Sequence, residues 1–227
     1  MFHKTDAQKK KHIVVQNQVS ELEILRTANA GVLLKTDEIS VLLDGVCDKF
    51  NAYLGTPIEI RDYILKNPPD CVGVTHMHPD HYDEEFVNQY KKQKNGPVFG
   101  PWSDEKIIVN GVEINILKTK HIGKFQIEHT SFIINTNKCV WFLGDASPIC
   151  LRHREDLPKP DILIVPYAYA ITDSAWKIAK NFNPKSIILL HLPSKEDDEN
   201  DLWKMVEETT KNDSILLIPK IGETIKF

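Results

Sequence analysis

The segment Thr75-His76-Met77-His78-Pro79-Asp80-His81-Tyr82-Asp83 places three of the chain's nine histidines and one aspartate within six positions, as H-x-H-x-D-H. Such a density of metal-ligating groups needs a rigid loop, and the flanking residues supply one. Cys71-Val72-Gly73-Val74-Thr75 reads as a short buried strand, and Asp83 to Tyr90 as a helix whose acidic first turn complements the helix dipole. In a loop held between strand and helix, alternate positions aim two imidazoles at one point and the Asp80/His81 pair at a neighbouring point. That pattern suits two adjacent metal ions, for which neutral imidazole and carboxylate are ordinary ligands of Zn, Fe or Mn. A merely solvated polar turn would predict no further ligands downstream.

Further ligands are present. His121 follows the alternating strand Val112 to Lys118, Asp145 closes Trp141-Phe142-Leu143-Gly144-Asp145, and His191 closes Ile187-Ile188-Leu189-Leu190-His191. Singly, each is an ordinary strand-end residue. Residues at strand ends converge on one rim of a sheet sandwich, where sites are built on rigid elements. His3, His12 and His153 have no such context and read as surface histidines.

The rest of the chain alternates short elements. Leu22–Leu25, Gly31–Leu34 and Ile39–Leu43 form a three-strand meander, and Pro57 to Leu65 a first helix with proline near its start. Lys106–Val109, Val112–Lys118, Thr130–Asn135 and Cys139–Leu143 follow as strands, with Asn110-Gly111 as a hairpin turn. The last third alternates strands (Asp161–Val165, Lys185–Leu190, Ser214–Ile218, Thr224–Phe227) with helices marked by Ala175, Ile178, Ala179 and Phe182, and by Leu202, Met205, Val206 and Thr209. Two mixed β-sheets packed face to face with helices outside is the simplest architecture. Residues 1–12 are polar and aperiodic and read as an N-terminal arm, leaving 13–227 as one domain.

Composition narrows the function. With 227 residues, 41% of them hydrophobic, the chain can bury a core without disulfides. Its formal charge of −4 gives no global attraction to nucleic acid or an anionic membrane. The lysine runs Lys9–Lys11 and Lys91-Lys92-Gln93-Lys94 lack the aromatic interleaving that base stacking needs. No apolar run approaches the ~20 residues of a membrane span, and no signal-peptide core follows Lys11. Four scattered cysteines without C-x-x-C suit isolated thiols in a reducing compartment, so a cytoplasmic protein is expected.

On these residues the sequence resembles the metallo-β-lactamase-fold metal-dependent hydrolase superfamily, in particular its lactonase-like single-domain branch. The resemblance runs from about Leu22 to the C-terminus, through Gly31-Val32-Leu33-Leu34, Leu42-Leu43-Asp44-Gly45, the histidine cluster, His121, Gly144-Asp145 and Pro184 to His191. It implies a four-layer αββα sandwich and a dinuclear site, most simply zinc, with Mn or Fe as alternatives. His76, His78 and His121 would hold one ion, Asp80, His81 and His191 the other, and Asp145 would bridge them. Asp44 matches the family's aspartate behind the site, although an Asp-Gly turn explains it equally well. His129 competes with His121 for the third-ligand place. His121 is preferred because it ends an alternating strand, whereas His129 opens the next one.

The implied reaction is hydrolysis by a metal-activated water, with Asp80 both ligand and proton acceptor. Tyr167 and Tyr169, just after Asp161–Val165, lie where such sandwiches face substrate, and a phenol there could stabilise an oxyanion. Ser147 and Cys150 have no base beside them. A small-molecule ester, lactone or amide leads as substrate, with a phosphodiesterase or nuclease on the same fold as the alternative. A mononuclear-iron oxidoreductase and a non-catalytic metal-binding module are less favoured, because the second-metal set is complete and the cluster carries His78 where flavodiiron relatives carry Glu. Oligomeric state is left open.

Overall fold

A computed structural model describes residues 21–124, 126–211 and 213–227, so the arm expected over residues 1–12, with His3 and His12, lies outside the described residues. The chain forms two mixed sheets. The first comprises β1 (Glu23–Arg26), β2 (Val32–Lys35), β3 (Ser40–Leu43), β4 (Cys71–Gly73), β5 (Val98–Phe99) and β13 (Thr224–Lys226), in the order β13-β1-β2-β3-β4-β5. The second comprises β6 (Lys106–Val109), β7 (Val112–Lys120), β8 (Glu128–Asn135), β9 (Cys139–Phe142), β10 (Ile162–Pro166), β11 (Ser186–Leu190) and β12 (Leu216–Leu217), in the order β12-β11-β10-β9-β8-β7-β6.

Each sheet has an antiparallel half, made by hairpins and meanders, and a parallel half, made where an intervening helix or long connection carries the chain back to the start of the sheet. β3, β4 and β5 run parallel, as do β9, β10, β11 and β12, while β6 to β9 pair antiparallel. Period-two alternation then sorts the side chains. Val41, Leu43, Ile162, Ile164, Ile188 and Leu190 point into the layer between the sheets, while Leu42, Leu163, Val165, Ile187 and Leu189 point outward.

The outward faces are covered by helices. α1 (Ile58–Lys66) and α2 (Glu84–Gln93) put Ile64, Phe86, Val87 and Tyr90 on the first sheet. α3 (Asp173–Asn181) and α4 (Leu202–Thr210) put Trp176, Ala179 and Val206 on the second. The result is the αββα sandwich expected from the sequence. No helix among the described residues is long and apolar enough to cross a membrane.

Three details differ from the sequence expectation. β5 was not anticipated, because two residues are too few to show a period. β7 runs on to Lys120, so His121 directly follows its last residue, and β8 starts at Glu128, which puts His129 inside a strand. Tyr169 is not substrate-facing: it is fully buried in the outer core of the second sheet with Trp141, Leu163 and Trp176, on a 3-10 turn (Tyr167–Tyr169) that folds it under α3.

Candidate metal centre

The site is assembled at one rim of the sandwich, where the parallel strands of both sheets end. β3 exits into Asp44, β4 into Thr75-His76, β7 into His121, β9 into Gly144-Asp145, β10 into Tyr167 and β11 into His191. The exits are sharp. Asp44, Gly144 and His191 have φ of +44°, +52° and +62°, so the chain turns at once and leaves the side chain at the rim. For Asp44 and His191 this left-handed conformation is a local strain of the kind concentrated at functional sites.

Seven side chains converge there: His76, His78, Asp80 and His81 from the loop after β4, and His121, Asp145 and His191 from the second sheet. Three groups have ligand atoms mutually within 4.8 Å: His76, His78 and His121; His76, His81 and Asp145; and Asp80, His81 and His191. All but His78 are buried. Asp145 Oδ2 lies between the two histidine sets, 3.5 Å from His121 Nε2, 3.6 Å from His81 Nε2 and 3.3 Å from His191 Nε2. Asp80 Oδ2 is 3.2 Å from His191 Nε2 and 3.8 Å from His81 Nε2.

For His76, His81 and His121 the far ring nitrogen is held from behind, which decides which atom faces inward. His76 Nδ1 is 3.0 Å from Thr75 Oγ1, leaving Nε2 opposite His78 Nδ1 at 2.9 Å. His121 Nδ1 donates to the Ile122 carbonyl, and its Nε2 is buried without a hydrogen bond. His81 Nδ1 lies 2.8 Å from Asp44 Oδ2, and its Nε2 meets His191 Nε2 at 3.1 Å. Asp44 also accepts from the Thr75 N–H (2.7 Å) and hydroxyl (2.6 Å). Orienting the far nitrogen of a ligating histidine is how proteins aim the near one at a metal.

Electrostatics fits the same use. Burial pushes the His76 imidazole far below its ordinary range, so it is neutral and free to ligate. His78 is shifted down for the same reason. For Asp80 and Asp145 burial alone would raise the carboxyls, but the surrounding histidines, His191 foremost, hold both below the usual range. His81 is the exception: burial opposes its charge, yet Asp145 and Asp44 raise it well above the ordinary imidazole range. Among the described residues, buried Asp145 Oδ1 and His191 Nδ1 also lack hydrogen-bond partners. Orphaned acceptors and facing imidazole nitrogens are costly unless a cation sits among them, so the residues present fit a metal of the borderline N/O class.

His129 is also at the rim but is already engaged. Its Nε2 accepts from the Asp145 backbone N–H at 3.0 Å, its Nδ1 is 2.7 Å from Thr119 Oγ1, and burial lowers its pKa to about 3. His153 is exposed, away from the cluster.

Tyr53, in the loop between β3 and α1, was not singled out from the sequence. Its ring meets His191 edge-on with centroids 4.3 Å apart, and Tyr167 lies 6.0 Å from the same imidazole. Burial and the neighbouring Tyr167 phenol raise the Tyr53 pKa. No local period marks Tyr53; the bridge between Phe50 and Tyr53 curls the loop, and the Asn29 N–H bond to the Leu54 carbonyl (3.0 Å) ties it to the first sheet.

Fold and site together define a sandwich with a histidine–aspartate centre at the ends of its strands. The chain belongs to the beta-lactamase superfamily, whose domain model matches residues 24–191, that is, from β1 to the last histidine of the site. No curated protein matches it by sequence. Among solved structures it is similar to Igni18, a metallo hydrolase of Ignicoccus hospitalis, at 18% identity over 91% of this chain and 98% of that one, with a TM-score of 0.64. It is similar to an isothiocyanate hydrolase from Delia radicum gut bacteria, at 17% identity over 90% and 99% of the two chains, with a TM-score of 0.58. It is also similar to CmlA, a diiron β-hydroxylase from Streptomyces venezuelae, at 13% identity over 92% of this chain and 54% of that one, with a TM-score of 0.62. At these identities the likeness is one of fold, and the fold carries more than one chemistry.

Proposed function

We propose that this protein is a metal-dependent hydrolase that holds two divalent ions, zinc by preference, and cleaves a small-molecule carboxylic ester, lactone or amide. The observation that carries the proposal is the convergence of seven ligating side chains from both sheets, with orphaned buried acceptors among them. His76, His78 and His121 would hold one ion, Asp80, His81 and His191 the other, with Asp145 between them. When bound, such ions supply Lewis acidity and a water that ionises near neutral pH.

The chain's own residues do the rest. Asp80, ionised at neutral pH, orients the attacking water through a carboxylate oxygen and takes its proton. Tyr53 keeps its phenolic proton because its pKa is raised, and with Tyr167 beside it donates toward a carbonyl oxygen as negative charge develops. Among the described residues, the ion pairs of Asp44, Asp80 and Asp145 are all with histidines, and the phenols of Tyr53 and Tyr167 lie against the His191 ring. An anionic substrate such as a phosphodiester would be better served by Arg or Lys there, which favours a neutral carbonyl. The four free cysteines suit a cytoplasmic enzyme.

The test is elemental analysis of protein purified without added metal, for wild type, Asp145→Ala and His121→Ala, followed by a panel of esters, lactones, amides, isothiocyanates and phosphodiesters. Close to two equivalents in the wild type, with loss in both variants and turnover of a carbonyl substrate, is expected. A wild type that binds neither Zn nor Mn overturns the proposal, and turnover confined to phosphodiesters replaces the substrate class.

A further inference from the structure

We propose that His129 is a positioning residue that sets the Asp145 turn from behind, as one member of a closed hydrogen-bond circuit, and is not a metal ligand. The proposal rests on the assignment of Asp145 to the metal centre.

The circuit begins and ends on the same three residues. Ser131 Oγ donates to the Leu143 carbonyl at 3.0 Å; Thr119 Oγ1 lies 3.0 Å from Ser131 Oγ; His129 Nδ1 lies 2.7 Å from Thr119 Oγ1; and His129 Nε2 accepts from the Asp145 N–H at 3.0 Å. The two backbone ends dictate every direction between them. A carbonyl can only accept, so Ser131 gives its proton to Leu143 and accepts from Thr119. Thr119 has then given its own proton and accepts from His129 Nδ1–H. A backbone N–H can only donate, so His129 Nε2 must present a lone pair to Asp145. Only the neutral imidazole protonated at Nδ1 closes the circuit.

Both nitrogens of His129 are therefore in use, although its ring centroid is 5.2 Å from that of His76 and 5.7 Å from that of His121. The pieces are brought together by sheet register: Thr119 on β7 faces His129 on β8. Because β8 runs antiparallel to β7 and β9, its beginning reaches the rim at which they end.

What the circuit holds is the Leu143-Gly144-Asp145 turn. Its far side is fixed as well, since the Asp145 carbonyl accepts from Ile122 N–H at 2.8 Å. A Cβ on Gly144 would lie 2.5 Å from the Thr75 side chain, so the turn is seated on the same threonine that donates to Asp44. With its backbone held at both its N–H and its carbonyl, Asp145 presents its carboxylate between the two histidine sets, where Oδ2 meets His81, His121 and His191.

The test is competitive chelator titration of the full chain with Zn for wild type, His129→Leu, His129→Gln and Thr119→Val, alongside ¹H–¹⁵N spectra of the wild-type imidazoles with and without Zn. Loss of a buried partner behind a ligand typically lowers metal affinity about 10- to 100-fold. H129L is expected to show that loss, H129Q to recover most of it because its amide offers one acceptor and one donor, and T119V to fall between. The wild-type His129 signal is expected to show Nδ1 protonated in both spectra. H129L binding Zn as the wild type does, or a His129 nitrogen signal that shifts to a metal-bound position, overturns the proposal. Circular dichroism reports folding, and if H129L does not fold, T119V and the wild-type spectra decide the matter. Failure of the wild type to bind Zn would instead overturn the metal centre itself, and the Zn-free spectrum still tests the circuit.

Discussion

Asp44 faces two ways with its carboxylate: Oδ1 accepts from the Thr75 N–H, while Oδ2 accepts from the Thr75 hydroxyl and holds the His81 Nδ1. Asp44→Asn keeps a carbonyl oxygen for Thr75 but removes the charge behind His81. It is expected to lower metal affinity about 10- to 100-fold with the fold retained, as measured by chelator competition. The same pair makes uptake pH-dependent. The His81 pKa is raised because Asp145 and Asp44 stabilise its protonated form, and a metal at Nε2 must displace that proton. Binding is therefore expected to release protons, and affinity to fall as pH falls. Calorimetry in buffers of different ionisation enthalpy reads the released protons directly, and pH-independent affinity would contradict the assignment.

At the scale of elements, the turn after β9 is the most constrained. Gly144 has φ of +52° and no room for a side chain against Thr75. Gly144→Ala is expected to cost about 2 kcal/mol of stability, from strain and forced movement of Thr75, and to lower metal occupancy with it. Thermal melts and metal analysis of the same preparation check both. Most elements were legible in the sequence because their patterns are local. The 3.6 period of Ala175, Ile178 and Ala179 forms α3, and the acidic start of α2 is capped by Asp83, whose carboxylate accepts from the Phe86 N–H at 2.8 Å. β5 was not legible, since its two residues become a strand only by pairing with β4. Tyr169 was misplaced for a related reason: a 3-10 turn after β10 sends neighbours two apart in opposite senses, Tyr167 to the rim and Tyr169 into the core.

For the whole molecule, the centre joins the two sheets. His76, His78, Asp80 and His81 belong to the loop of the first sheet, and His121, Asp145 and His191 to strand ends of the second. A metal bound there cross-links the halves of the sandwich and stabilises only the folded state. At a free concentration 100 times Kd one such site contributes about 2.7 kcal/mol, or roughly 5–10 °C in Tm for a domain of this size. Removal of metal by EDTA is expected to lower Tm by that order and re-addition of Zn to restore it. An unchanged melt would mean that the sheets are held by their apolar core alone.

The sequence by itself determined the identity of the cluster, the strand-end placing of His121, Asp145 and His191, and the family these residues resemble. Those features follow from composition and short-range period, which a chain carries before it folds. The tertiary structure decided what depends on register and strand direction. His121 and His129 both lie between the cluster and Asp145 along the chain, and the sequence favours His121 only because it ends an alternating strand. An antiparallel β8 lays His129 beside Thr119 and against the Asp145 amide, while the end of β7 delivers His121 to His76 and His78. Tyr53 reaches His191 across a separation of more than half the chain, a contact that no local pattern encodes.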